Sequence, residues 1–136
     1  MQKLLTWIRN LSAVNIERTY KDLDAAVAQL RAYNDDPDSV NKQELDELVN
    51  EAIDDANALL TFKGEKNWDG LFRELHEYLA KIRMELGEYE EAERQARFVL
   101  EYDRHEGEYL LKQIEAHKRG ERIEDFDPSS IDEGEE

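Results

Sequence analysis

Residues 79–103 read LAKIRMELGEYEEAERQARFVLEYD, and this stretch decides the fold. In its first part, apolar residues recur at steps of three and four, which is the spacing of one face of an α-helix. Gly87-Glu88 interrupts the pattern, and a second helical series begins at Tyr89. Because the interruption is so short, the stretch predicts two helices joined by a tight turn and packed as a hairpin.

Helical spacing continues on both sides of this hairpin, and strand-type alternation of apolar and polar residues is absent. Asn41 followed by Glu44 is typical of a helix start, and Pro37 disfavours helical geometry at the residue before it. The fold class is therefore all-α, with antiparallel helical hairpins. We expect about six helices, near residues 2–11, 12–33, 41–62, 68–86, 89–102 and 104–120.

The length of 136 residues fits one domain, which we expect to span residues 1–120. Beyond it, residues 121–136 carry eight acidic side chains, and their apolar members are Ile123, Phe126 and Ile131. A segment so charged and so poor in apolar residues cannot build a core, so we expect a disordered acidic tail.

The amino-acid composition and net charge exclude or disfavour several classes of site and ligand. The chain has no cysteine, which excludes disulfides, thiolate nucleophiles and cysteine-based metal sites. No window approaches the roughly 20 apolar residues of a membrane span, and no signal peptide is recognisable. The net charge of −16 disfavours nucleic acid and anionic membranes as ligands and favours a partner with a basic surface. We expect a soluble, cytoplasmic protein.

Three groups of residues together resemble one tetratricopeptide repeat, at about residues 73–106. They are Leu79-Ala80, the segment from Leu86 to Ala92, and Val99-Leu100-Glu101-Tyr102-Asp103. That family packs two antiparallel helices in each repeat of about 34 residues. The resemblance depends most on Ala80, Gly87, Tyr89 and Ala92. Arg83, His76 and Arg104 depart from the usual pattern.

The resemblance implies a hairpin at about residues 68–106, a capping helix at 107–119, and a helical bundle or short solenoid. It also implies a protein-interaction module with a concave face on the first helix of the pair. That partner-binding face would contain five side chains: Glu74, Glu77, Lys81, Met84 and Glu85. One repeat makes only a short groove, so self-association into a homo-oligomer is a further expectation.

Two residue patterns in this sequence begin like metal-binding or catalytic motifs, and both lack required residues. His76-Glu77 begins like a zinc-protease motif, but Ala80 stands where the second histidine is required. The stretch from Asn34 resembles a calcium loop but has Ser39 and Leu45 at the positions that need glycine and glutamate. We therefore expect no enzyme activity, no cofactor and no metal site, and surface or capping roles for His76, His105 and His117.

Three functions stay open at this point. The first is a non-catalytic interaction module or scaffold with an acidic surface. The second is an acidic inhibitor that imitates nucleic-acid phosphates and blocks a basic protein, as small viral antagonists of host defence do. The third is that the acidity serves solvation, as in salt-adapted proteins.

Overall fold

The computed structural model describes residues 2–61 and 69–124, and side chains within 16–61 and 70–124. This part of the chain is helical and contains no strand, so the all-α prediction is confirmed. Its five α-helices are α1 (Gln2–Asp35), α2 (Lys42–Leu60), α3 (Asp69–Glu85), α4 (Tyr89–Tyr102) and α5 (Arg104–Lys118). Residues 62–68, which include the predicted break between the third and fourth helices at 63–67, and residues 125–136 of the predicted tail lie outside the described residues.

The described helices number five rather than six because α1 is continuous where we expected two helices. Ser12 and Asn15 can cap a helix, but a residue caps a helix only where its own backbone leaves helical geometry. Residues 11–15, LSAVN, contain neither glycine nor proline, so nothing in them forces that departure. The helix ends at Asp35, next to a 3-10 turn at Pro37–Ser39, as the proline predicted.

The chain divides into two compact units, Met1–Lys66 and Asn67–Glu136. The expectation of one domain over residues 1–120 stays a prediction, and each unit is described by itself. In the first unit α1 packs against α2, and the Asn41 side chain caps α2 by accepting from the Glu44 amide at 3.1 Å. The core between these helices holds Leu23, Ala26, Val27, Leu30, Leu45, Val49, Ala52, Ile53, Ala56 and Leu59.

In the second unit α4 packs against both α3 and α5, and α3 also contacts α5. Gly87 turns the chain between α3 and α4 with a φ of 80°, a conformation that favours glycine. Asp103 ends α4 and caps α5, where its side chain accepts from the Glu106 amide at 3.1 Å. The core cluster contains Ala80, Met84, Ala92, Ala96, Val99, Leu110 and Ile114.

None of the helices in the described ranges has a stretch long and apolar enough to cross a lipid bilayer.

Candidate functional site

The solvent side of α2 is acidic. Its apolar residues face α1, and outside that apolar face lie Glu44, Glu47, Glu51 and Asp54, all of them exposed. Steps of three and four residues place these carboxylates on one face of the helix. Between Lys42 and Leu60 the helix carries six acidic residues and one lysine, and that lysine contacts Asp46. We call Glu44, Glu47, Glu51 and Asp54 the acidic stripe.

At one edge of this stripe, Glu51 also belongs to a group of three carboxylates where α1 and α2 pack. Ligand atoms of Asp22, Glu51 and Asp55 lie within 4.8 Å of one another, and the Arg18 guanidinium is 3.9 Å from Asp55. The sequence analysis did not predict this cluster, although Glu51 and Asp55 are four residues apart on one helix. Placing Asp22 with them required the register of the two helices. Exposed acids often group without an ion, so we assign no ligand to the cluster.

The predicted partner-binding face on α3 is not an open surface. Glu74 is half-exposed, and Glu77 and Lys81 form an ion pair at 3.3 Å with most of both side chains covered. Met84 is 3% exposed and belongs to the core cluster, and Glu85 is buried as well. These two positions are buried because α5 packs over the end of α3, and the partner-binding face stays a prediction. Its Leu110 and Ile114 share the cluster with Met84.

Where α3 meets α5, a buried carboxylate lies among charged groups. Glu106 is buried, and its carboxylate contacts the Arg73 guanidinium and the Glu77 carboxyl. Burial, then the hydrogen bond and charge of Glu77, raise the pKa of Glu106 to about 7. The Arg73 guanidinium acts in the opposite direction, but removal from water and a second carboxyl outweigh it.

A second polar network joins the ends of α3 and α5 to the start of α4. The Glu85 side chain is fully buried, and one of its oxygens lies 3.3 Å from His117 Nε2. The other ring nitrogen, Nδ1, lies 2.7 Å from the Tyr89 hydroxyl. This chain of carboxylate, imidazole and phenol holds three elements in register and satisfies a buried charge. His117 is therefore a half-buried member of this network, whereas we expected a surface or capping role for it.

The chain after α5 returns to this network. The Tyr109 hydroxyl donates to the Glu124 carbonyl at 2.8 Å, and the Gln113 amide donates to the carbonyls of Ile123 and Glu124 at 3.3 and 3.1 Å. The Arg122 guanidinium reaches Glu85. The first four residues of the predicted tail are thus hydrogen-bonded to the helices. We call Glu121–Glu124 the strap.

The residues of the repeat motif occupy structural positions. Ala80 and Ala92 are fully buried in the core cluster, and Tyr89 packs against that cluster. His76 stacks on Phe98 with ring centroids 4.4 Å apart, and its Nδ1 lies 2.7 Å from Gln95 Oε1. His76 is therefore part of the contact between α3 and α4.

Comparison of the chain with models of known protein families, with curated proteins and with solved structures finds no match.

Proposed function

We propose that this protein acts by binding another protein, without catalysis, and that the acidic stripe of α2 meets a basic surface of that partner. The observation that carries the proposal is the arrangement of the stripe. Four exposed carboxylates lie along about 15 Å of one helix, since each residue adds about 1.5 Å. A packed helix holds these charges in fixed positions, and complementary charge steers and orients a partner.

The tetratricopeptide-like architecture is part of the same proposal. It is supported by the turn at Gly87, by the buried Ala80 and Ala92 between the paired helices, and by Tyr89 against the cluster. In this interpretation residues 73–106 are the repeat and 107–119 the capping helix. The second unit serves as a scaffold whose stability depends on packing rather than on a reacting site. We propose a cytoplasmic location and place self-association among the possible assemblies.

A second candidate is an acidic inhibitor that imitates nucleic acid. The stripe favours it because its charges form a row along one axis, as phosphates do along a nucleic-acid strand, although at about 5 Å rather than about 3.4 Å per charge. In this function the partner is a nucleic-acid-binding protein, and the stripe occupies its phosphate-binding cleft. The two candidates share the surface and differ in the partner.

The test compares two triple variants with equal changes of charge. Glu47→Lys, Glu51→Lys and Asp54→Lys reverse the stripe, whereas Glu101→Lys, Glu108→Lys and Glu115→Lys reverse three exposed acids of α4 and α5. In the control, Glu108 and Glu115 pair with Arg104 and Lys118 at exposed positions, where such ion pairs contribute little to stability. The ligand is the protein that co-purifies with the chain from its native host, and affinity is measured by calorimetry.

We expect the stripe variant to lose affinity by about tenfold or more and the control to change far less, because charge pairs in register contribute more than net charge. Equal losses in both variants would contradict a role for the stripe. Competition between the protein and duplex DNA for the partner would select the inhibitor candidate. Turnover of a small substrate by the purified chain would contradict the non-catalytic function.

A further inference from the structure

The strap is held in part through its backbone carbonyls, by contacts that a peptide of another sequence could also make. Gln113 is 3% exposed, and its buried amide donates to two successive backbone carbonyls, those of Ile123 and Glu124. Tyr109 donates to the second of these carbonyls from the same helix. Because the acceptors are backbone groups, these contacts do not depend on a particular side chain, and they require a segment whose two successive carbonyls face the same amide.

Selectivity at this place comes from Glu85. Its side chain is fully buried, and both of its oxygens face the guanidinium of Arg122, with Nη1–Oε2 and Nη2–Oε1 distances of 3.3 Å each. A planar guanidinium matches a carboxylate with two parallel contacts, which lysine cannot do. His117 approaches the same carboxylate from the protein side and so fixes its position. The Arg122 side chain is about one-third exposed, so the arginine enters from solvent.

We propose that Glu85, Tyr109 and Gln113 form a peptide-binding groove for a non-helical, arginine-bearing segment of a partner protein, and that the strap occupies this groove as an internal stand-in. This inference rests on the proposed function, because it assumes that the protein works by binding proteins. It adds a second contact, distinct from the acidic stripe, and states its chemistry. A partner arginine takes the place of Arg122, and the carbonyls of the residues after it take the places of those of Ile123 and Glu124.

Two features of the strap, its short length and its connection to α5, favour its exchange for a partner segment. The strap is short, non-helical, and joined to α5 through Gly120, whose φ of 81° turns the chain back. An attached segment competes at an effective concentration in the millimolar range, so a free peptide binds the wild-type groove weakly. Removing the Arg122 guanidinium should lower that competition and expose Glu85 to an added arginine.

The experiment titrates a capped peptide of residues 120–124, GERIE, into three full-length chains: wild type, Arg122→Ala and Arg119→Ala. Arg119 is the matched control because it belongs to the same segment but pairs with Glu121 at an exposed position. Binding is followed by the NMR signals of the Gln113 side-chain amide. We expect Arg122→Ala to bind the peptide about tenfold or more tightly than wild type, and Arg119→Ala to resemble wild type. A peptide with alanine in place of its arginine should not bind.

Absence of peptide binding to a folded Arg122→Ala chain would overturn the groove and leave the strap as a structural cap of α5. If Arg122→Ala does not fold, Arg122→Lys replaces it, because a lysine keeps the charge but loses the paired contact. Equal peptide affinity of that variant and wild type would also overturn the groove. The stripe variants test the proposed function independently, since their positions lie on α2. If the peptide does not bind but the stripe variant still loses affinity for the partner, only the groove is rejected.

Discussion

Glu106 illustrates at the scale of one residue how burial outweighs an ion pair. Its carboxylate contacts Arg73, a contact that by itself would favour the ionised form. The surroundings nevertheless raise the pKa of Glu106 to about 7, because the group is removed from water and shares a hydrogen bond with Glu77. The folded protein therefore binds a proton at Glu106 more tightly than the unfolded chain does.

The stability of the second unit should consequently depend on pH through Glu106. The contribution of a carboxyl with a raised pKa is fully present below its ordinary value of 4.5 and is lost as pH rises through about 7. Through Glu106, wild type should lose about 1–3 kcal/mol of unfolding free energy between pH 5 and pH 8, and Glu106→Gln should not show this loss. Urea unfolding across this range checks it, with exposed Glu108→Gln as control. Parallel pH profiles for wild type and Glu106→Gln would contradict the assignment.

Gly107 is a residue where the backbone itself leaves no room. A Cβ added there would lie 2.5 Å from Leu100 Cα and 2.7 Å from Leu100 N, and backbone atoms of a packed helix cannot move aside easily. We expect Gly107→Ala to destabilise the fold by about 1–3 kcal/mol. Gly70→Ala is the matched control, because in the part of the chain that the structure describes its added Cβ meets no atom within 4 Å beyond its chain neighbours and its own helix backbone. That change should be neutral or stabilise the protein by up to about 1 kcal/mol. Thermal melting of both variants measures the difference.

At the scale of the helices, the hairpin of α3 and α4 depends on a small residue at the centre of its packing. Ala92 is fully buried in the core cluster, so Ala92→Leu should overpack it and destabilise the protein by roughly 1–3 kcal/mol. Ala58→Leu adds the same atoms at an exposed position of α2 and should leave the melting temperature nearly unchanged. An Ala92→Leu variant that melts like wild type would count against the repeat interpretation.

Element boundaries were predictable where a local chemical signal defines them. Asn41 and Gly87 lie at a helix start and a turn in both sequence and structure. The exposure of a residue was not predictable where it depends on packing by another helix. Met84 and Glu85 share helical spacing with Glu77 and Lys81, but α5 covers the end of α3 and buries them. Periodicity shows which residues share a face, and packing decides whether that face stays open.

For the molecule as a whole, composition predicted the charge but not its arrangement. The value of −16 is visible in the sequence, whereas the joining of Asp22 to Glu51 and Asp55 needed the register of two helices. The strap shows the same limit. Residues 121–124 look like solvated tail by composition, yet Tyr109 and Gln113 hold their carbonyls, and Arg122 pairs with a buried carboxylate. Such long-range polar contacts leave no periodic signal.

The charge of the whole molecule leads to a kinetic prediction for the proposed function. If exposed acids steer a basic partner, added salt should slow association more than it speeds dissociation, because exposed charges are screened over about 8 Å at physiological ionic strength. Surface plasmon resonance at several salt concentrations separates the two rates. The Glu47→Lys, Glu51→Lys and Asp54→Lys variant should show a weaker salt dependence of association than wild type. The Glu101→Lys, Glu108→Lys and Glu115→Lys control should keep more of that dependence, since it leaves the stripe intact. Association rates that do not respond to salt would mean that the acidity serves solvation and not recognition.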